Sequence, residues 1–374
     1  MKERLLKIGV NLARLILAVT FIFSGYVKAV DPLGTQYKIQ DYLEALGLPG
    51  VVPDWLTLST SVVLAGVEFA LGVFLLTAIH RRGVAKVTLA FMLIATPITI
   101  WLYVANPIED CGCFGDALKL SNGQTLLKNV VLTLCAIVVC RWYSKMHMLF
   151  LRRAQWMIVN ATIILIIGQS LYSLYDLPPF DFRPYHVGAD LRQGMEIPPE
   201  AEKPKFETTF ILRKDGEERE FTLDNYPDST WEFVNARTVQ VSKGYVPPIH
   251  DFSIVLNETG DDITEEVLCH KKPVLLLIAP YLEKADDSNF GQIDLIYEYA
   301  HEAGWPMYCL TASGSKAIQR WIDMTGAEYP FCTTDATTLK TIIRSNPGLL
   351  LLKNGVVKGK WSHNRLPSIE DLQK

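Results

Sequence analysis

Residues 8–30 read IGVNLARLILAVTFIFSGYVKAV, and this stretch decides the first element of the fold. A helix that crosses a membrane needs roughly 20 mostly apolar residues, and this stretch supplies them. Lys2, Arg4 and Lys7 precede it, as positive charges precede the apolar core of a signal peptide. The stretch is too long for such a core and lacks a small-x-small cleavage site, so we predict a retained membrane helix over about residues 8–28.

Four further stretches have the length and composition of a membrane span, at about residues 56–79, 84–105, 124–143 and 155–177. The chain has 374 residues, of which 49% are hydrophobic and 20% charged, and the apolar ones concentrate before about residue 180. This length indicates about two or three domains. We predict a bundle of membrane helices followed by a soluble part. The formal net charge of −4 gives no indication of a nucleic-acid partner.

Loop charges predict the orientation of the spans, because Lys and Arg concentrate in cytoplasmic loops. Positive charges lie at the N-terminus and in the loops after the second and fourth spans: Lys2, Arg4, Lys7, Arg81, Arg82, Lys86, Arg141, Lys145, Arg152 and Arg153. Loops 29–55 and 106–123 carry Lys38 and Lys119 against several acids. We therefore predict a multi-pass protein of the bacterial inner membrane. Its N-terminus is expected in the cytoplasm and everything after about residue 178 in the periplasm.

Residues 106–116, NPIEDCGCFGD, place Cys111 and Cys113 around one glycine in a loop predicted to face an oxidising space, where disulfides persist. A bridge between residues two apart needs a bent backbone, which Gly112 permits. A strained and exposed bridge of this kind is easily reduced, as a catalytic disulfide must be. Cys111 and Cys113 are therefore a candidate catalytic redox pair.

Two other interpretations of this loop stay open. Glu109, Asp110 and Asp116 oppose formation of a thiolate, whereas Lys119 or Lys128 favours it, so the two cysteines can also be small structural residues. Zinc would need two more ligands than the two thiols, and the loop contains no histidine. We predict no metal site, and nothing in the sequence identifies a cofactor.

Several segments around this loop carry a family resemblance: FIFSGYVKAVDPLGTQYKIQDYLEALGL after the first span, VEFALGVFLL in the second, DCGCFGD after the third and TLLKNVVLTL in the fourth. They resemble the MauE branch of the MauE/DoxX membrane proteins over about residues 5–145. The resemblance implies a four-helix core, to which this chain adds a fifth span. It also implies an envelope protein of methylamine-utilisation, sulfur or redox systems, which helps disulfides to form in a periplasmic dehydrogenase subunit or delivers that subunit.

Glu68 lies near the centre of the second span, and a carboxylate inside a membrane is a functional candidate by default. Arg14, Lys28 or a proton can neutralise it. The alternative is a structural role, in which a protonated Glu68 hydrogen-bonds one helix to another. Arg14 is explained by a long side chain that reaches back to the cytoplasmic surface.

The soluble part begins with a linker rich in Pro and Glu, at about residues 185–204. FETTFILRKDGEEREFTL alternates apolar and polar residues on both sides of a Lys-Asp-Gly turn, and TWEFVNARTVQVS continues the pattern, so residues 205–244 are predicted to form a small β module. From about residue 245, strands such as PVLLLIA alternate with helices such as FGQIDLIYEYAHEAG, which predicts a sheet covered by helices.

The order of these elements and the Asn346-Pro347 step resemble thioredoxin-like domains of the peroxiredoxin and TlpA kind, over about residues 246–374. In that fold the loop after the first central strand carries C-x-x-C and faces a cis-proline. Here the loop reads APYLEKADDSN and has no cysteine, while Pro347 matches the proline. The resemblance implies a client-binding site at Asn346 and Pro347 without thioredoxin-type catalysis. Cys309 and Cys332 fall on strands, where they form a bridge or act as small apolar residues.

The predicted fold is thus an all-α membrane bundle, made of a four-helix core at 1–150 and a fifth span at 151–180. A linker with the β module at 181–244 and an α/β thioredoxin-like domain at 245–374 follow. One functional hypothesis is an envelope factor that assists disulfide exchange or maturation of client proteins outside the cytoplasm. A second is a non-catalytic, membrane-anchored binding or assembly protein. A third is a small-molecule or proton carrier built around Glu68, which is favoured less because no inverted repeat or broken helix pair stands out. Whether the chain is an enzyme is left open. The expected partners are the lipid bilayer and an extracytoplasmic protein, within a homo-oligomer or a larger membrane complex.

Overall fold

The computed structural model describes residues 1–108, 110–202, 205–214, 217–222, 231–242 and 244–373. Five of its helices are long and apolar enough to cross a membrane: α1 (Lys2–Val30), α3 (Asp54–Thr77), α4 (Arg81–Ala105), α5 (Asn122–Arg141) and α6 (Gln155–Tyr175). The prediction of five spans is confirmed, with shifts of a few residues at their ends. The second span ends early because Ala78 adopts a left-handed conformation. The fourth begins early because Ser121 and Gln124 form a capping box.

Glycines bring α1 and α3 into close contact. A Cβ atom added to Gly25 would lie 2.3 Å from the backbone nitrogen of Phe69, and one added to Gly72 would lie 2.5 Å from that of Ile22. Small residues allow membrane helices to approach in this way. A core of buried side chains, including Leu17, joins α1, α3, α4 and α5 into a bundle. Helix α6 packs against α1 and α3 from outside that core.

A short helix, α2 (Pro32–Ala45), lies between the first two spans. Asp31 begins it, because its carboxylate accepts the backbone N–H of Gly34 at 2.8 Å. This helix stands where we expected a loop over residues 29–55. Asp31 followed by Pro32 is a recognisable helix start, since proline favours the first helical position.

The first sheet outside the membrane helices is three-stranded and antiparallel. It contains β1 (Lys205–Lys214), β2 (Glu217–Thr222) and β3 (Glu232–Ser242), in the order β2-β1-β3. The first two strands pair as the predicted hairpin, with Lys214 opposite Glu217. The predicted turn residues, Asp215 and Gly216, lie outside the described residues.

The second sheet is six-stranded, in the order β4-β7-β6-β5-β8-β9. Its strands are β4 (Val255–Leu256), β5 (Val274–Ile278), β6 (Met307–Thr311), β7 (Phe331–Thr333), β8 (Gly348–Lys353) and β9 (Val356–Ser362). Strands β5, β6 and β7 are parallel, while β8 runs antiparallel to β5 and to β9. The predicted alternation of strands and helices is therefore present in this part of the chain.

Helices cover both faces of this sheet, which explains why β5 is apolar at every position. One face packs against α9 (Phe290–Ala303), α10 (Ser315–Thr325) and α12 (Ile369–Leu372). The other packs against α7 (Leu191–Met195), α8 (Thr264–Leu268) and α11 (Ala336–Ile342). Tyr185 and Leu191 are buried in this second core, so the predicted linker contributes to it.

The predicted alternative of a disulfide between Cys309 and Cys332 is wrong. Cys332 pairs with Leu310 on the neighbouring strand, so Cys309 is one residue out of step and its side chain points to the opposite face. The two thiols accordingly lie in different cores of the sheet. Both behave as small buried apolar residues.

We call the six-stranded sheet together with the helices on its two faces the sheet unit. The sheet unit contacts the end of the helical bundle that carries loop 106–121. Lys284 bonds Asp54 at the start of α3, at 2.7 Å, and Arg365 bonds Asp176 at the end of α6, at 2.7 Å. Arg344, just before β8, reaches Asp31 at the end of α1. The sheet unit and the cysteine loop therefore lie on the same side of the bundle.

Candidate functional site

Loop 106–121 holds Cys111 and Cys113 close together, with their Sγ atoms 2.8 Å apart. Gly112 between them has φ +66°, a left-handed conformation that suits glycine. A Cβ atom there would also lie 2.7 Å from Cγ of Lys38. The backbone N–H of Gly112 donates to Asp110 Oδ1 at 2.9 Å, which fixes the bend. The sulfurs are thus held near the distance at which a disulfide forms.

Helix α2 forms a wall beside the first cysteine. The hydroxyl of Tyr42 donates to the carbonyl oxygen of Cys111 at 2.9 Å and lies 3.4 Å from its Sγ atom. Lys38 lies 3.3 Å from the carboxylate of Asp110. The helix that the sequence analysis missed therefore supplies two side chains to the site.

Lys28 and Glu68 meet below the second cysteine. The Lys28 ammonium donates to Glu68 Oε2 at 2.8 Å, to Ser24 Oγ at 2.7 Å and to the carbonyl oxygen of Cys113 at 2.7 Å. These bonds use all three of its donors. Ser24 Oγ lies 2.6 Å from Glu68 Oε2. Glu68 is therefore paired with Lys28, one of the predicted counterions, and the pair anchors the backbone of Cys113.

Arg14 takes no part in this network. Its guanidinium donates to the carbonyl oxygen of His147 at 2.6 Å, at the opposite end of the bundle. The side chain thus points towards the end of the bundle that carries the positively charged loops, but it is buried there and does not reach the surface. The carboxylate inside the bundle thus has one basic partner, Lys28, among the contacts described.

The two thiols differ in acidity. The hydrogen bond from Cys111 lowers the pKa of Cys113 to about 6, against the effect of burial, and the charges of Lys128 and Lys28 lower it further. The same hydrogen bond and burial raise the pKa of Cys111. A lowered pKa makes Cys113 the better nucleophile near neutral pH.

The acids near the cysteines do not dominate this balance. Asp110 faces Lys38, and Asp116 lies 3.7 Å from Lys119 and 3.5 Å from Arg344. Their charges are offset by cations, so the expected opposition to a Cys113 thiolate is weak. Glu109, the third acid, lies outside the described residues. Of the two lysines named from the sequence, Lys128 is the one that acts on the thiols.

A cavity of about 790 Å³ extends from the cysteine loop into the helical bundle. Apolar side chains from α1 to α5 form most of its lining: Phe21, Ile39, Leu64, Phe91, Met92, Ile94, Ala95, Pro97, Ile98, Trp101 and Leu132. The polar side chains around the cysteines also line it, among them Lys28, Glu68, Tyr42 and Lys128. The cavity therefore joins the thiols to an apolar space between membrane-spanning helices.

The described residues contain no cluster of three or more His, Cys, Asp and Glu side chains that could hold a metal ion. Cys111 and Cys113 are free cysteines in the structure. The remaining cysteines lie outside this site: Cys135 and Cys140 on α5, Cys269 after α8, and Cys309 and Cys332 in the sheet.

Arg344 joins the sheet unit to this site. Its Nε lies 2.9 Å from Asp31 Oδ2 and 3.0 Å from Oδ1, and its guanidinium is buried. Burial alone would raise the pKa of Asp31, but the charges of Arg344 and Arg183 outweigh it and hold that pKa below its usual value. The guanidinium also stacks over the ring of Tyr37 on α2. No sequence motif marks Arg344, because its main partner, Asp31, lies 313 residues away along the chain.

Asn346 and Pro347 follow two residues later, joined by a cis peptide bond. The side-chain amide of Asn346 donates to the carbonyl oxygen of Tyr281 at 2.9 Å, and the backbone carbonyl oxygen of Asn346 accepts the N–H of Asp286 at 2.9 Å. Pro347 is buried. The pair therefore lies beside the loop that carries APYLEKADDSN, on the side of the sheet unit that faces the bundle.

Comparison with known proteins supports the membrane part. Residues 6–141 match the family model of the methylamine utilisation protein MauE. Together with the five apolar helices, this match indicates a MauE-like membrane protein. Residues 206–243 match the model of a domain of unknown function (DUF8463). No curated protein matches the chain.

One similar solved structure is a solution structure named as a candidate protein disulfide isomerase from Bacteroides thetaiotaomicron. It is 15% identical, and the match covers 33% of this chain and 79% of that chain with a TM-score of 0.26. A TM-score this low supports no conclusion about fold or function.

Proposed function

We propose that this MauE-like protein is a membrane-embedded factor that oxidises thiols of an extracytoplasmic client through Cys111 and Cys113. The observation that carries the proposal is the 2.8 Å separation of the two sulfurs, in a loop whose backbone is bonded to the buried Lys28. A structural loop would need neither the adjacent thiols nor the lowered pKa of Cys113. The family match supports a role in methylamine-utilisation-like processes.

The exchange is balanced in two steps. A client thiolate attacks one sulfur of the Cys111–Cys113 disulfide, which forms a mixed disulfide and releases the other sulfur as a thiolate. A second client thiolate then attacks the mixed disulfide, so the client gains a disulfide and the loop is left as a dithiol. The released sulfur leaves best when its thiol pKa is low, which favours Cys113 as the leaving sulfur.

The arrangement of the chain in the membrane is part of the proposal. Lys and Arg in the alternate loops support a cytoplasmic N-terminus in a bacterial inner membrane. The contact of Arg344 with Asp31 and Asp116 supports a common, periplasmic side for the cysteine loop and the sheet unit. The boundaries 1–150, 151–180, 181–244 and 245–374 remain our proposed domains.

We propose a thioredoxin-like fold for the six-stranded sheet unit. Its parallel strands β5, β6 and β7 and the antiparallel β8 and β9 support this. The loop after β5 contains no cysteine. Client binding at Asn346 and Pro347 stays a prediction. Because Arg344 contacts the bundle, a client held there would lie close to Cys111 and Cys113.

A second candidate function is non-catalytic assembly, in which the membrane helices anchor a recognition unit. The missing cysteine in the loop after β5 favours it. The two functions differ in what the thiols do, since assembly requires no change in their oxidation state.

The test is to follow the thiol state of the full-length chain. Purified protein is equilibrated with mixtures of reduced and oxidised glutathione, and each cysteine is mapped by alkylation and mass spectrometry. We expect Cys111 and Cys113 to interconvert together between dithiol and disulfide, and Cys111→Ser and Cys113→Ser each to abolish client oxidation in cells. Cys135→Ser, on α5, is the matched control and leaves it intact. The assembly function would be established instead if both thiols stayed reduced at every ratio of reduced to oxidised glutathione and the Cys111→Ser/Cys113→Ser variant functioned as wild type.

A further inference from the structure

We propose that the cavity beside Cys111 and Cys113 binds a lipid-soluble quinone, which accepts the two electrons released when the dithiol returns to a disulfide. This inference rests on the proposed function, because a loop that oxidises clients must itself be reoxidised. It names a binding site and the chemical class of its ligand.

The cavity reaches the part of the bundle that lies inside the membrane. Met92 is near the middle of α4 and Leu132 is near the middle of α5, while Phe21 lies in the second half of α1, and all three line the cavity. A ligand in this space is drawn from the bilayer, so it must be apolar. A volume of about 790 Å³ is in the range of pockets that hold a small molecule.

The cysteine end of the cavity is polar and carries an excess of positive charge. Lys28 has all three donors engaged, one of them with Glu68. Lys128, on α5, has no carboxylate partner within the described residues, and its ammonium lies 4.3 Å from the centroid of the Phe114 ring. An ammonium placed there can donate to a carbonyl oxygen and stabilise negative charge that develops on it.

The apolar part of the cavity and its positively charged cysteine end together indicate the chemical class of the ligand. An acyl chain would fill the apolar part but would leave the Lys128 ammonium without an acceptor. A quinone with an apolar tail satisfies both parts, because its ring oxygens accept hydrogen bonds and its tail lies among apolar side chains. It is also an oxidant that takes two electrons, the number that one disulfide releases.

The reaction balances without a further reactant. The Cys111 and Cys113 sulfurs join in one S–S bond and give up two electrons and two protons. The quinone takes up the two electrons and two protons and leaves as the quinol. The net change is one dithiol and one quinone to one disulfide and one quinol.

Binding is tested with decylubiquinone and the full-length Cys111→Ser/Cys113→Ser variant in nanodiscs. This variant lacks both thiols, so it cannot transfer electrons to the quinone. Trp101 lines the cavity, so we expect saturable quenching of its fluorescence, identified by its loss in a Trp101→Phe variant. Ala95→Phe fills the cavity and should weaken binding about tenfold or more, which corresponds to 1.4 kcal/mol. Ala90→Phe, at an exposed site of the same helix, should leave binding unchanged. Quenching that rises linearly with quinone, or that Ala95→Phe leaves unaltered, would overturn the inference.

Electron transfer is tested with the reduced wild-type chain. We expect one quinol for each Cys111–Cys113 disulfide formed, with Ala95→Phe slow and Ala90→Phe normal. A chain that exchanges disulfides with glutathione but leaves decylubiquinone oxidised would refute the quinone and keep the proposed function. A chain that binds decylubiquinone but has inert thiols towards both reagents would refute the proposed function and the acceptor role together.

Discussion

Lys28 on α1 and Glu68 on α3 form an ion pair of 2.8 Å between two membrane-spanning helices. Gly25 and Gly72 bring these helices close enough for the pair to form. The same ammonium bonds the carbonyl oxygen of Cys113, so a charge pair inside the bundle positions a loop at its end. Buried charges are costly unless they are paired and hydrogen-bonded, and both conditions are met here.

Lys28→Met should destabilise the protein by about 3–5 kcal/mol, because it leaves the buried Glu68 carboxylate without its cation and with Ser24 as its remaining described partner. The double variant Lys28→Met/Glu68→Leu should recover most of that loss but should still oxidise clients poorly, since Cys113 loses a donor. Thermal unfolding in nanodiscs and client oxidation in cells measure the two effects. Lys7→Met, at an exposed position of α1, is the control. Equal stability of Lys28→Met and wild type would show that the pair contributes nothing.

Lys128→Gln should make the reduced loop less reactive. Removing this positive charge disfavours the Cys113 thiolate, so the pKa of Cys113 should rise from about 6. The pH profile of iodoacetamide alkylation, followed at Cys113 by mass spectrometry, should move to higher pH. Lys119→Gln is the matched control, because Lys119 is mostly exposed and faces Asp116. Superimposable profiles for the Lys128→Gln and wild-type chains would contradict the role given to Lys128.

Gly112→Ala should impair the disulfide. The left-handed conformation costs a residue with a side chain roughly 1–2 kcal/mol, and the added Cβ atom would also lie 2.7 Å from Cγ of Lys38. Gly47→Ala is a close control, because Gly47 has φ +75° with nothing within 4 Å of the added atom. We expect the first variant to form the Cys111–Cys113 disulfide slowly and the second to form it normally. Equal rates would indicate that the bend at Gly112 is dispensable.

Arg344→Gln should release the sheet unit from the bundle. The change leaves the partly buried Asp31 without its main cation, and because breaking a fully buried pair costs about 3–5 kcal/mol, the loss here should be smaller than that. Limited proteolysis of the full-length chain should then cut faster between α6 and the sheet unit. Arg320→Gln, at an exposed position of α10, should digest like wild type. Unchanged digestion of Arg344→Gln would mean that other contacts hold the unit in place.

The Arg344–Asp31 contact should also depend on pH. The pKa of Asp31 is lowered in the folded chain, so its contribution to stability is complete above the ordinary carboxyl pKa of about 4 and is lost as pH falls through the lowered value. In Arg344→Gln, the Arg344 charge no longer outweighs the effect of burial on Asp31, so the pKa of Asp31 should rise. The loss of stability should then begin at a higher pH than in the wild-type chain. Thermal unfolding across a series of acidic buffers measures the shift. A wild-type curve that falls at the same pH as the variant would contradict this linkage.

The sequence by itself determined the number of membrane helices, since length and hydropathy decide whether a segment can span a bilayer. It also determined the cysteine loop and the covered sheet, because the C-G-C spacing and the apolar run of β5 are local features. The helix at Pro32–Ala45 was missed although Asp31-Pro32 marked its start.

Tertiary structure decided every relationship between distant residues. Glu68 has several candidate partners in the sequence, and only the packing of α1 on α3 selects Lys28. Side chains point to alternate faces along a strand, and this alternation can be read from the sequence. Whether Cys309 and Cys332 share a face depends on how β6 and β7 pair, and that pairing exists only in the folded sheet. The cavity and the Arg344–Asp31 contact likewise exist only once the helices and the sheet unit have packed together. Hydropathy and periodicity act along the chain, whereas ion pairs, strand registers and cavities depend on which surfaces meet in space.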